Sequence, residues 1–152
     1  MRLVILSAAA ALVAATPAVA NEYRVEARGG ATWNNDGTEA VAGVAAGYDF
    51  DLGETAFVGM EVSADKVLAS GYKVSFGFIG RGGAKLGAGK LYVDGGYVTE
   101  NADAGEAAWV LGAGYQHAFG EKLYAKVGYR HNFAQGLAVD TDTVLAGVGV
   151  KF

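Results

Sequence analysis

In 152 residues the chain carries 24 Gly, a single Pro and no Cys, with 52% hydrophobic and 18% charged residues and a formal net charge of −4. Two Trp, eight Tyr and seven Phe spread along its length, without a Gly-X-Y period, exclude a disordered or collagen-like chain. The acidic balance and the lack of any Lys/Arg run exclude nucleic acid as a partner, and the missing Cys excludes disulfides, Cys-ligated zinc and thiol catalysis.

Residues 1–20 have the layout of a cleaved export signal. Arg2 precedes an apolar stretch from Leu3 to Ala15, and Ala18-Val19-Ala20 forms a small-residue cleavage site. The stretch is shorter than the roughly 20 residues of a spanning helix. Residues 21–152 are then expected to form one domain.

From Glu22 onward apolar residues recur at every second position. This period predicts eight strands, over residues 22–33, 39–50, 55–66, 72–86, 90–100, 106–119, 122–133 and 143–152. Most exceed the usual soluble strand of about 5–6 residues and have the length a tilted strand needs to cross a bilayer. Their short connections suit an antiparallel meander, closed on itself to leave no raw edge. Lys90-Leu91-Tyr92 with Gly96-Tyr97 recurs as Lys122-Leu123-Tyr124 with Gly128-Tyr129, in keeping with reuse of one hairpin.

Each strand divides into two phases. One holds residues such as Val25, Ala27, Val58, Met60, Leu111, Val148 and Val150 and carries no charge away from strand ends. The other holds Arg24, Glu26, Arg28, Asp49, Glu61, Asp65, Lys73, Arg81, Lys85, Asp94, Lys126 and Arg130, interspersed with Gly. A soluble barrel would bury the apolar phase, so alternation alone leaves the polarity open. The aromatics decide it: all but Phe57, Tyr92 and Tyr124 share the apolar phase, and many gather at two rims. Tyr23, Tyr48, Phe50, Tyr115, Phe119 and Phe152 mark one rim; Trp33, Tyr72, Trp109, Tyr129 and Phe133 mark the other. Two such girdles suit the two headgroup levels of a membrane. The expected fold is an all-β, eight-stranded antiparallel up-and-down transmembrane β-barrel. The alternative is an exported soluble barrel that binds a small ligand.

A barrel of eight strands has an interior just wide enough for side chains to fill it. Glycines in the charged phase would make room there for Arg and Lys stems. A lumen charge network of Arg28, Glu61, Arg81, Asp94, Lys126 and Arg130 is expected, above a layer of the inward aromatics Phe57, Tyr92 and Tyr124. Such a network either plugs the lumen or sets the ion preference of a narrow water path. His131 lies near Asp140 and Asp142 at one rim, but no Ser falls in the last three strands, so no catalytic residues and no enzyme are expected. Asn34-Asn35-Asp36-Gly37 and Asp140-Thr141-Asp142 lack the spacing of an EF-hand. No metal site or cofactor is expected.

The terminal segment Val144-Leu145-Ala146-Gly147-Val148-Gly149-Val150-Lys151-Phe152, with Gly128-Tyr129-Arg130-His131 before it, resembles the small outer-membrane β-barrel proteins of Gram-negative bacteria. That group includes the OmpA-type membrane domain, opacity-like proteins and small porin-like surface antigens. The resemblance implies residence in the outer membrane and a structural envelope role with narrow porin-like passage. It implies outer-membrane lipid as a partner and Phe152 as a signal read by the outer-membrane insertion machinery. A monomer is expected, but the residues leave the oligomeric state open. Members often carry long outer loops; the short ones here weigh against adhesin or receptor roles.

Overall fold

The computed structural model describes residues 21–100, 107–136 and 139–152, so the export-signal reading of residues 1–20 lies outside the described residues. Eight strands follow in order: β1 (Glu22–Asn34), β2 (Gly37–Leu52), β3 (Ala56–Val67), β4 (Val74–Leu86), β5 (Gly89–Val98), β6 (Ala108–Phe119), β7 (Leu123–Ala134) and β8 (Thr141–Lys151). Each pairs antiparallel with its neighbours in sequence, and β8 returns to β1, closing an up-and-down barrel. The seam runs from Arg24 opposite Lys151 to Trp33 opposite Asp142. Beyond it, the Tyr23 amide donates to the Phe152 carbonyl (3.2 Å) and the Phe152 amide to the Tyr23 carbonyl (2.9 Å), so the last residue completes the ring.

Strand bounds depart from the sequence reading where side chains shape the turns. Asn34 Oδ1 accepts hydrogen bonds from the amides of Asp36 (2.9 Å) and Gly37 (3.2 Å), folding an Asx turn so tight that β2 begins two residues earlier than expected. At the next connection on that side Gly71 adopts a positive φ of 87°, and β4 starts only at Val74. Tyr72 therefore sits in a connection rather than on a strand. Residue 106, expected to open the sixth strand, lies outside the described residues.

The distribution of burial is inverted relative to a water-soluble domain. Arg24, Glu61 and Asp49 rank with Tyr124 and Phe57 among the largest fully buried side chains, whereas Met60, Leu111, Trp109 and Val148 are more than half exposed on the outer surface. Aromatic contacts cluster near the ends of the wall. Tyr48 packs on Tyr23 and Phe50 at 4.3 and 4.4 Å toward the end bearing the termini, and Tyr97 meets Trp109 at 5.4 Å toward the opposite, loop-bearing end.

Interior glycines open slots for the buried rings. A Cβ on Gly114 would collide with the Tyr92 hydroxyl and the Val127 carbonyl, and one on Gly149 would lie 2.6 Å from the Tyr124 ring. Gly114→Val is expected to cost about 1–3 kcal/mol through overpacking. Outward Gly80 meets only the Gly95 carbonyl, at 3.7 Å, so Gly80→Val should stay within about 0.5 kcal/mol of the parent. Urea unfolding in lipid vesicles separates the two.

The inward phase is not uniformly ionic. Val41, Val67, Ile79, Val110 and Leu145 also point inward and are buried, and Val41, Val67 and Leu145 form an apolar cluster toward the loop end.

Candidate functional site

The period-2 pleat aims Arg24, Glu26 and Arg28 of β1 into the lumen, together with Asp49 (β2), Glu61 and Asp65 (β3), Arg81 (β4), Asp94 (β5), Gln116 (β6), and Lys126 and Arg130 (β7). β8 contributes no side chain to this cluster; its Gly147 and Gly149 leave the space that Arg28 and Tyr124 fill.

Glu61 lies at the centre. Its Oε1 accepts from Arg28 Nη1 (2.7 Å) and Arg130 Nη2 (3.1 Å), and its Oε2 from Arg24 Nη1 (2.8 Å) and Lys126 Nζ (3.0 Å). One carboxylate therefore gathers four cations from two strands on opposite sides of β8. Each cation is shared with another acid. Arg28 grips Asp65 through Nε (2.8 Å) and Nη2 (2.5 Å), Arg130 holds Asp94 (2.7 Å), and Lys126 contacts Glu26 (2.6 Å).

A second node lies nearer the end bearing the termini. Asp49, with no exposed surface, receives Arg81 through Nε (2.9 Å) and Nη2 (2.5 Å) and Lys90 through Nζ (2.9 Å). Arg81 also donates to Gln116 Oε1 (3.0 Å). Lys90 and Lys151 both reach Glu22, at 2.9 and 3.1 Å, extending the ladder to the mouth.

Arg28, Glu61, Lys126, Arg130 and Asp94 thus belong to the Glu61 node, while Arg81 belongs to the Asp49 node. Phe57, Tyr92 and Tyr124 are all buried inward, but among the described residues they do not stack on one another. The Arg81 guanidinium lies 5.2 Å from the Phe57 ring centre and 5.0 Å from that of Tyr92, and Tyr124 donates its hydroxyl to Glu26 Oε2 (2.9 Å). Cation and phenol contacts tie these inward rings into the charged cluster, a positive charge lying on a π face and a phenol on a carboxylate. Arg24, Glu26, Asp49 and Asp65 stand in the charged phase of the sequence, yet nothing there marks them as central.

The cluster divides the lumen. A cavity of about 630 Å³ enters from the end bearing the termini, bordered by Glu22, Lys90, Gln116 and Lys151. Another of about 310 Å³ enters from the loop end. Between them, beside Arg28, Asp94, Lys126 and Arg130, lies a small cavity of about 10 Å³.

No protein-family model matches the chain, and no curated protein matches it. Solved structures do. The N-terminal β-barrel domain of Pseudomonas aeruginosa OprF aligns at a TM-score of 0.63 with 17% identity, covering 86% of this chain and 97% of that one. The fold is that of the small outer-membrane β-barrels. Neisserial surface protein A aligns at 0.56 with 14% identity over 87% of this chain and 97% of its own. The outer membrane enzyme PagL aligns at 0.56 with 13% identity over 84% and 98%. Since one of these barrels is an enzyme, the architecture alone does not determine whether chemistry occurs.

On the outer face of this small outer-membrane-type barrel, His131 Nδ1 lies 2.7 Å from Asp142 Oδ1, the same oxygen that accepts from the Tyr129 hydroxyl (2.5 Å). The ring of His131 also packs edge-on to Phe133. At the opposite rim His117 sits between Tyr115 and Phe119. The two histidines belong to separate rims and form no common site.

Proposed function

We propose that the chain is an integral outer-membrane β-barrel of a Gram-negative bacterium, exported through cleavage after residue 20, with a structural role in the envelope and a lumen closed at rest by the Glu61 node. One observation carries this reading: a single carboxylate binds four cations between the two end cavities, beside a small cavity of about 10 Å³. Each of these buried charges has an opposite charge beside it, which makes its displacement by a passing ion costly, while among the described residues Arg24 Nε and Nη2, Glu26 Oε1, Arg81 Nη1 and Asp94 Oδ1 are buried without a hydrogen bond. The outward apolar band and its aromatic rims suit a lipid surround, and the end bearing the termini then faces the periplasm. Phe152, paired with Tyr23 at the closure of the ring, acts as the insertion signal.

Current across planar bilayers containing the purified protein tests the closed lumen. No resolved conductance steps are expected, and regular steps would replace this reading with narrow passive passage. That second reading draws on the cavities that enter from both ends. Cell fractionation with heat-modifiable gel mobility tests the location: recovery only from the soluble periplasm would favour the exported, ligand-binding barrel. A hydrolase is the weakest reading, because the serines of the described residues, Ser63, Ser70 and Ser75, lie on or beside β3 and β4, away from the His131–Asp142 pair on β7 and β8.

A further inference from the structure

The cavity at the loop end has two unlike walls. One is the apolar cluster of Val41, Val67 and Leu145. The other is a hydrogen-bonded run of small polar side chains. Asn132 Nδ2 donates to Thr141 Oγ1 (3.1 Å) and Thr143 Oγ1 (3.0 Å), Thr143 donates to Thr32 Oγ1 (3.0 Å), and Thr32 donates to the Asp142 carbonyl (3.2 Å). The donors of Thr32, Thr143 and this amide are thereby directed within the wall. Each hydroxyl keeps a further lone pair, and the Asn132 carbonyl oxygen keeps its own, to accept hydrogen bonds from a guest.

The floor is charged but already neutralised. Arg130 is bound by Asp94 and Glu61, and Asp65 is held in a two-point grip by Arg28. Among the described residues that line the cavity, an ionic guest would find no unpaired charge and would have to break an existing ion pair to gain one. The volume, about 310 Å³, stands at the lower limit of small-molecule sites. Tyr72, displaced from β4 into the connection, contributes an aromatic ring at the rim.

A guest with one C–H face, an edge of donating hydroxyls, no charge and the size of a single ring is a neutral pyranose sugar. We propose that the loop-end cavity is a binding site for one neutral monosaccharide unit, its C–H face on Val41, Val67 and Leu145 and its hydroxyls on the Thr32–Thr143–Asn132 wall. The unit is either a free sugar or the exposed end of a glycan.

The test is a titration of the full chain, refolded in detergent micelles, followed by backbone amide NMR. D-Glucose, D-galactose, D-mannose and N-acetylglucosamine are the probes, with glucosamine and glucose 6-phosphate as charged counterparts. At least one neutral sugar should give saturable shifts confined to the loop-end residues of β1, β2, β3, β7 and β8. Thr143→Val and Asn132→Leu, each checked for retained heat-modifiable mobility, should weaken binding about tenfold. The charged counterparts should bind more weakly by a similar factor. Maltotriose binding as well as glucose would indicate a glycan end, and glucose alone a free sugar; either supports the site. Absence of saturable shifts with all four sugars, unchanged affinity in both folded variants, or tighter binding of glucose 6-phosphate would each overturn it. The result is independent of fractionation, so failure here leaves the membrane reading intact, and the reverse holds.

Discussion

Glu61→Gln should lower the unfolding free energy by about 3–5 kcal/mol, the scale for removing one partner from a buried ionic group. The amide keeps an acceptor for some of Arg24, Arg28, Lys126 and Arg130, yet its NH2 turns a donor toward the remaining cations, and all four lose their shared counter-charge. Urea unfolding of the full chain in lipid vesicles reads the change. Glu54→Gln, on an exposed turn, is the matched control and should stay within about 0.5 kcal/mol. Adding Lys126→Met to Glu61→Gln removes one stranded cation and should recover part of the loss, a coupling that a double-mutant cycle isolates. A loss below about 1 kcal/mol for Glu61→Gln would mean that Asp65, Asp94 and Glu26 neutralise the cations without it.

Val148→Arg should cost about 2–4 kcal/mol in a bilayer, the depth-dependent penalty for a cation at the midplane of a lipid-facing barrel wall. Val148 is 66% exposed and lies halfway along β8 between Phe152, at one aromatic rim, and Val144, which pairs with Tyr129 near the other. In water the same substitution on an exposed, apolar surface would be close to neutral or would raise solubility. Vesicle unfolding therefore distinguishes a wall built for lipid from a wall built for water. A loss under about 0.5 kcal/mol would remove the basis for the membrane reading.

What could be read from residues alone was the pleat. Alternation identifies which side chains share a face, so the eight strands, their antiparallel order and the inward set including Glu61, Arg81 and Lys126 were legible. Height along the barrel axis was not. Arg24 and Glu61 share a hydrogen bond across 37 residues because β1 and β3 flank β2 with a particular stagger, and long side chains bridge neighbouring levels. Alternation carries no record of that stagger, so Asp49 and Arg24 looked no more central than Lys85. Alternation did not single out Val41, Val67 and Leu145, which lie far apart in sequence yet meet in space as the apolar wall of a cavity. The inward aromatics Phe57, Tyr92 and Tyr124 were legible from the same alternation, but their partners were not: Arg81 lies against Phe57 and Tyr92, and Tyr124 donates to Glu26.

The Glu61 node is balanced. Arg24, Arg28, Lys126 and Arg130 are matched by Glu26, Glu61, Asp65 and Asp94, so this part of the lumen carries four positive and four negative groups. A voltage across the bilayer does work on a moving part in proportion to the net charge moved, about 2.3 kcal/mol per elementary charge per 100 mV. Shifted as a unit, this plug presents none. Electrical force of either sign has no handle on it, and the resting seal should hold equally at positive and negative potentials.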